Sequence, residues 1–166
     1  MDPRHAVRCP SPLPVLLMSN AALLRETESF LYTQIPLTRA MGVRLERYDE
    51  AGLVLTAPLA LNHNHLGTAF GGSLATAATL AGYTLLWLEL GDCGSHIVIK
   101  ESHLRYKAPV RGDIRAIAPR LPPDTLHRFR QTFAQNGTAR LTLPITIVEP
   151  DGRICVEFTG TFVALR

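Results

Sequence analysis

The stretch Asn62-His63-Asn64-His65-Leu66-Gly67-Thr68-Ala69-Phe70-Gly71-Gly72-Ser73 decides how this chain reads. It is polar and glycine-rich, and it runs straight into a mostly small, apolar segment that ends near Leu88. A helix that is apolar around most of its circumference must be buried. The start of such a helix presents backbone N–H groups without intrahelical acceptors, at the positive end of the helix dipole. Gly71 and Gly72 at that start let another molecule approach the backbone closely. A site of this kind stabilises negative charge, and acyl chemistry is the leading expectation.

Working outward, a helix is predicted from Asn20 to about Gln34, with Leu23, Leu24, Phe30 and Leu31 on its apolar face. Pro36 ends it. Met41, Val43 and Leu45 alternate with Gly42, Arg44 and Glu46, the pattern of a half-buried strand. Asp49-Glu50-Ala51-Gly52 turns the chain, and Leu53 to Ala57 returns as a second strand. A polar loop over 60–71 leads to the long helix, expected from about Gly72 to Leu90 with Ser73 as its cap and Gly91 as its stop.

After the helix, Ile97 opens a long strand that reaches Pro109, with Leu104 and Tyr106 on one face and His103, Arg105 and Lys107 on the other. Ile114 to Ala118 is a further strand. Pro122-Pro123-Asp124 introduces a short helix carrying Leu126, Phe129 and Phe133 on one side, ended by Asn136-Gly137. Arg140 to Val148 alternates as a strand in which Pro144 signals an edge or a bulge. Glu149-Pro150-Asp151-Gly152 is a hairpin turn, and Ile154 to Leu165 is the last strand. The order suits an antiparallel sheet curved around the long helix, which needs cover on most sides.

The 166 residues, 46% hydrophobic and 19% charged, suffice for one domain with its own core. The net charge of +3 is spread over scattered Lys and Arg, with no basic run interleaved with aromatics, which argues against nucleic-acid binding. Cys9, Cys93 and Cys155 form no C-x-x-C pair, which argues against a zinc or redox site and fits a reducing cytoplasm. Residues 1–19 read as a flexible extension, since Pro10, Pro12 and Pro14 interrupt its apolar run; Met18 is an alternative start. Leu66–Leu88 carries no formal charge over 23 residues, but its four Gly, four Thr and one Ser favour a buried helix over a membrane span.

Three segments carry a family resemblance: Asn64-His65-Leu66-Gly67-Thr68-Ala69-Phe70-Gly71-Gly72-Ser73, Ile97-Val98-Ile99-Lys100, and Arg105-Tyr106-Lys107-Ala108-Pro109-Val110. Over roughly 22–166 the chain resembles a hotdog-fold thioesterase, of the domain type often fused to a GNAT acetyltransferase. The resemblance implies an α+β hotdog fold, a curved antiparallel sheet of five to six strands wrapped around a long central helix. It also implies a homodimer or dimer of dimers, with acyl-thioester sites at the subunit interface. Coenzyme A or the phosphopantetheine of an acyl carrier protein would enter as part of the substrate, with no separate cofactor and no metal.

Set against the hotdog branch that carries a His-Gly-Gly motif, the His position falls on Phe70 and the two glycines on Gly71 and Gly72. The Asn six residues before that His falls on Asn64, and the catalytic Asp falls on Thr79. Thr is neither a carboxylate base nor a carboxylate nucleophile, so the resemblance leaves the base unnamed. Catalytic roles are expected for Asn64, Gly71, Gly72 and Thr79. Substrate contacts are expected from His63, His65, Phe70, Ser73, Lys100 and Arg105.

Each of these has an alternative. Gly71 and Gly72 place an N–H against the thioester oxygen, or they only let the loop turn tightly into the helix. Asn64 orders water or the thioester carbonyl, or it braces its own loop. Thr79 holds a water, or it bonds back to the carbonyl of Ala75. His63, His65 and Glu101 are candidate bases. Lys100, Arg105, Lys107 and Arg111 meet phosphate or an acidic carrier, or they form a solvated strand face. Tyr83 and Trp87 share a helix face as core or as the wall of an acyl pocket. The expected activity is hydrolysis of an acyl thioester. The competing readings are a non-catalytic acyl-CoA or acyl-carrier binding module, and an enoyl-thioester hydratase or dehydratase.

Overall fold

The computed structural model describes residues 20–91 and 95–166. The extension expected over residues 1–19 lies outside them, as do Cys9 and Cys93. The described chain runs α1 (Asn20–Gln34), α2 (Pro36–Ala40), β1 (Arg44–Asp49), β2 (Gly52–Ala57), α3 (Leu59–Asn62), α4 (Gly71–Leu90), β3 (His96–Tyr106), β4 (Ile114–Pro119), α5 (Pro123–Asn136), β5 (Thr138–Val148) and β6 (Ile154–Leu165). The strands form one sheet in the order β1-β2-β4-β5-β6-β3, every pairing antiparallel.

Helix α4 lies on the concave face and packs against β2, β3, β4, β5 and β6. Its Leu74, Ala77, Ala78, Leu80, Ala81, Leu85, Leu86 and Leu88 are buried, which is why its sequence shows no polar stripe. Buried Thr84 and Glu89 sit among them, and none of the described helices is long and apolar enough to cross a membrane. At Gly82, α4 leaves no room for a side chain against β5 and β6. A Cβ there would stand 2.5 Å from Phe162 Cζ and 3.2 Å from Ile145 Cδ1. Gly91 ends the helix in the left-handed region at φ 59°, a conformation glycine adopts without strain.

Register explains how β3 serves two faces. Ile97 and Ile99 pair with Ala164 and buried Phe162, so they face the helix. A bulge follows between Ile99 and Glu101, which leaves Lys100 as the extra residue. Beyond it Glu101, His103 and Arg105 pair with Thr161, Thr159 and Glu157, while Leu104 and Tyr106 pair with buried Phe158 and Val156. In a regular strand with Lys100 paired in register, Ile97 and Ile99 would share a face with Glu101, His103 and Arg105, because the side-chain period of a strand is two; the bulge at Lys100 puts them on opposite faces.

Several sequence expectations need correction. The segment 60–71 is not all loop, because Leu59–Asn62 turn as α3 behind Pro58. The first strand begins at Arg44 rather than Met41, since Met41 closes the short helix α2 that Pro36 opens. Ser73 does not cap α4. Phe70 holds the N-cap position, and no side chain makes a capping bond. Strand β5 is internal to the sheet, yet it pairs with β4 only at Thr146 and Ile147. Pro144 lies in the part that pairs with β6 alone, so its missing N–H interrupts no ladder toward β4.

Candidate active site

The loop before α4 is closed on itself. Asn64 Oδ1 accepts from the N–H groups of Leu66 at 2.9 Å and Thr68 at 3.3 Å, and Asn64 Nδ2 donates to Thr68 Oγ1 at 3.0 Å. The Asn64 N–H donates to the Thr68 carbonyl at 2.8 Å, and Gly67 takes φ 73° at the tip. The side chain of Asn64 therefore braces its own loop in the single chain, the second of the two roles open to it. His63 and His65 stand exposed on this loop, with His63 Nδ1 3.0 Å from the Asn64 carbonyl.

Asn62 anchors the loop from below. It is 2% exposed, and its Nδ2 donates to the carbonyls of Met41 and Pro58, each at 2.8 Å. Its own carbonyl accepts the Phe70 N–H at 2.7 Å, while Ala69 donates to Val110 at 2.9 Å. These bonds deliver the chain to α4 in one orientation. Nothing in the sequence separates Asn62 from Asn64 as the buried member of the pair. Only the corner formed by α2, α3 and β2 does so.

At the start of α4 the N–H groups of Gly71, Gly72 and Ser73 meet no acceptor among the described residues, and the first bond inside the helix is Leu74 N–H to Phe70 at 3.0 Å. Two aromatic rings flank this turn. The Phe70 ring, 56% exposed, covers the Gly72 Cα so closely that a Cβ would lie 2.3 Å from its Cε1. Tyr106 comes from the end of β3, and its Oη donates to the Gly71 carbonyl at 3.0 Å. Gly71 and Tyr106 border a cleft of about 330 Å³ together with Ala69, Leu74, Lys107 and Pro109. Sequence reading missed Tyr106. The available signal was its place on the helix-facing side of β3, two residues beyond Leu104.

A second, more apolar chamber of about 400 Å³ opens further along α4, between Thr79 and Tyr83 on the helix, Ile97 and Ile99 on β3, Phe162 on β6 and Ile35 before α2. The Thr79 hydroxyl has no partner among the described residues, and the back-bond expected of it is made one turn earlier by Thr76 to the Gly72 carbonyl at 2.9 Å. Burial pushes the Tyr83 phenol above its ordinary value. Trp87, one turn on, stacks on Phe30 at 4.6 Å between centroids, and both are partly buried against the core.

The basic residues of β3 divide. Lys107 Nζ lies 2.8 Å from Glu157, and Arg105 lies 3.8 Å from the same carboxylate. The hydrogen bond from Lys107 holds the Glu157 carboxyl below the usual range. Lys100 stands exposed at the bulge, and Arg111 gives its backbone N–H to Glu149 at 2.6 Å. Glu101 is on the outer face, bonded to Thr161 at 3.3 Å, away from α4. Cys155 is buried, and desolvation raises its thiol pKa. Among the described residues no group of three His, Cys, Asp or Glu side chains is placed to hold a metal ion.

A six-stranded curved antiparallel sheet on one long helix, with an open helix start beside an apolar chamber, defines the hotdog thioesterase class of fold. Residues 24–166 match the family described as "Putative thioesterase (yiiD_Cterm)", and the chain belongs to that family. Similar solved structures agree. A protein of unknown function from Chlorobaculum tepidum is 33% identical over 89% of this chain and 97% of its own, with a TM-score of 0.80. A "putative thioesterase" from Shewanella oneidensis is 29% identical over 88% of this chain and 99% of its own, with a TM-score of 0.74. A protein from Pseudomonas aeruginosa described as a "Probable Thioesterase" is 25% identical over 85% and 94%, with a TM-score of 0.73.

Proposed function

We propose that this protein hydrolyses acyl thioesters carried on coenzyme A or on an acyl carrier protein. The observation that carries the reading is the start of α4, where three N–H groups without acceptors meet the polar loop in a chain of a thioesterase family. Water attacks the thioester carbonyl, and the Gly72 N–H, with Gly71 and Ser73 beside it, holds the tetrahedral oxyanion. Such a donor contributes about 10²–10³ in rate. Collapse of the oxyanion breaks the C–S bond and releases the carboxylic acid and the thiol, which leaves with a proton from the attacking water. The acyl chain extends along α4 into the chamber beside Thr79 and Tyr83. Thr79 lies seven residues, about 10 Å of helix, beyond Gly72 of its own chain, so the attacking water is ordered by the Thr79 that a second protomer brings across the interface. Asn64 keeps the loop closed over the reacting group, and His63, His65, Phe70 and Ser73 contact the substrate at its rim. Lys100 and Arg105 receive the phosphates of the thiol carrier.

The working unit is a homodimer in the cytoplasm. Strand β3 is an outer strand of the sheet, and Val98, Ile99 and Tyr106 stand exposed on it. An outer strand of eleven residues offers a row of unpaired N–H and C=O groups to a partner strand, with apolar side chains at Val98, Ile99 and Tyr106 to cover. A panel of acyl-CoAs of rising chain length, followed by thiol release, tests the activity. Gly72→Pro removes the N–H in the first helical turn, where the backbone accepts proline, and Gly72→Ala is its control, since either Cβ pushes the exposed Phe70 ring aside but only Ala keeps the N–H. Turnover is expected for the parent and a loss of about 10²–10³ for Gly72→Pro. No turnover above background at any chain length refutes the reading.

One observation favours a second reading, a binding module without turnover. None of the chamber-lining residues Ile35, Ala75, Thr76, Thr79, Leu80, Tyr83, Ile97, Ile99 and Phe162 is a carboxylate or a histidine. In that case acyl-CoA raises the melting temperature and is recovered intact.

A further inference from the structure

We propose that Tyr106 is a positioning residue that strengthens the oxyanion donor by polarising the Gly71–Gly72 peptide. The inference rests on the thioesterase reading above. The Tyr106 Oη donates to the Gly71 carbonyl at 3.0 Å. In an α-helix that carbonyl already accepts the N–H four residues on, so Tyr106 adds a second donor to one oxygen. The Gly71 carbonyl and the Gly72 N–H belong to the same planar, resonant peptide unit. Electron density drawn to the oxygen leaves the Gly72 N–H more positive, and this N–H is one of the three that meet no acceptor among the described residues.

The surroundings hold this arrangement in place. The phenol ring lies along the Gly71 Cα, about where a Cβ would make ordinary contact at 3.6 Å. Tyr106 is anchored by its pairing with buried Val156 and followed by Lys107, whose N–H donates to the Cys155 carbonyl at 2.8 Å. The next residue of the same turn, Gly72, is covered by the Phe70 ring. Hydrogen bonds in chains strengthen one another by about 10–30% per bond. Applied to a donor worth about 10²–10³ in rate, that is about a two- to eightfold effect on turnover.

Tyr106→Phe keeps the ring and removes the donor. Its kcat is expected to fall about two- to eightfold with KM and melting temperature unchanged. The ¹⁵N resonance of the Gly72 amide in the ligand-free protein is expected to move upfield, with those of Leu85 and Leu86 fixed. A variant that loses only ring packing, Tyr106→Leu, should lower the melting temperature as well. An unmoved Gly72 resonance, or an unmoved kcat in a parent that turns over, overturns the role of Tyr106 and leaves the thioesterase reading intact. A parent with no turnover on any acyl thioester refutes both, whatever the resonance does.

Discussion

Gly82→Ala places one methyl group where α4 packs directly on Phe162 of the sheet, and the distances set its effect. The new Cβ would stand 2.5 Å from Phe162 Cζ, 2.7 Å from Phe162 Cε2 and 3.2 Å from Ile145 Cδ1. Both neighbours are 1% exposed, so neither ring nor methyl can swing into solvent. Ala gains about 1 kcal/mol over Gly in a helix. Overpacking a closed core costs about 1–3 kcal/mol, and two contacts under 3 Å on one ring put this case at the upper end, about 3. The net loss is about 2 kcal/mol, a drop of about 4–8 °C in melting temperature for a domain of this size. Phe162 also lines the chamber beside Thr79, so the ring's only direction of relief narrows that chamber. Thermal unfolding and a chain-length profile with acyl-CoAs measure the two consequences, and longer chains should lose more activity than short ones. A double-mutant cycle with Phe162→Leu should recover at least about 1 kcal/mol as coupling. If Gly82→Ala is as stable as the parent or more so, the reasoning about this contact is refuted.

Three other outcomes are expected. Tyr48 donates to buried Glu89 at 3.0 Å, and burial first, then the Glu89 charge, pushes its phenol up to about 12. The folded pKa lies above the unfolded one, so this contribution is whole below about pH 10 and is lost as pH rises from about 10 to 12. The full shift corresponds to about 2.7 kcal/mol, and about half of that survives for a half-buried ring; urea unfolding between pH 9 and 12 should show the decline in the parent and a shallower one in Tyr48→Phe. Glu89 itself is 1% exposed and meets Arg120 at 3.2 Å and Arg130 at 3.5 Å, so Glu89→Gln should cost about 2 kcal/mol. That figure sits below the usual range for a broken buried pair because both arginines reach solvent; chemical denaturation reads it, and a variant within about 0.5 kcal/mol of the parent contradicts it. Asn64→Ala removes the acceptor of the Leu66 and Thr68 N–H groups, so amide exchange in 64–68 should quicken about tenfold for about 1.4 kcal/mol lost locally, while the global melting point moves little.

Much of the architecture was legible because it follows from local rules. The long helix shows in a run of small and apolar residues, uncharged as far as Leu88 and closed by Gly91, and α5 in Leu126, Phe129 and Phe133 with Gly137 behind them. The hairpin between β5 and β6 shows in Glu149-Pro150-Asp151-Gly152. What was not legible depends on neighbours distant in sequence. The bulge at Lys100 has no marker of its own, because it is set by the need to turn both Ile99 and Leu104 toward α4. Pro144 pointed to an edge, and the sheet supplied one locally by letting β4 diverge from β5. Ser73 looked like a cap, yet the helix begins two residues earlier behind Phe70.

The element order, the buried helix and the glycine-rich turn that opens it follow from local sequence. Periodicity, turn chemistry and the conformational freedom of glycine act within a few residues, so they can be read from one segment at a time. Tertiary structure alone decided that Asn64 binds its own loop, that Asn62 is the buried anchor, that Thr79 faces an apolar chamber, and that the Tyr106 hydroxyl reaches the Gly71 carbonyl. Those outcomes turn on which strand lies beside the helix start and in which register. Long-range pairing across the sheet sets both.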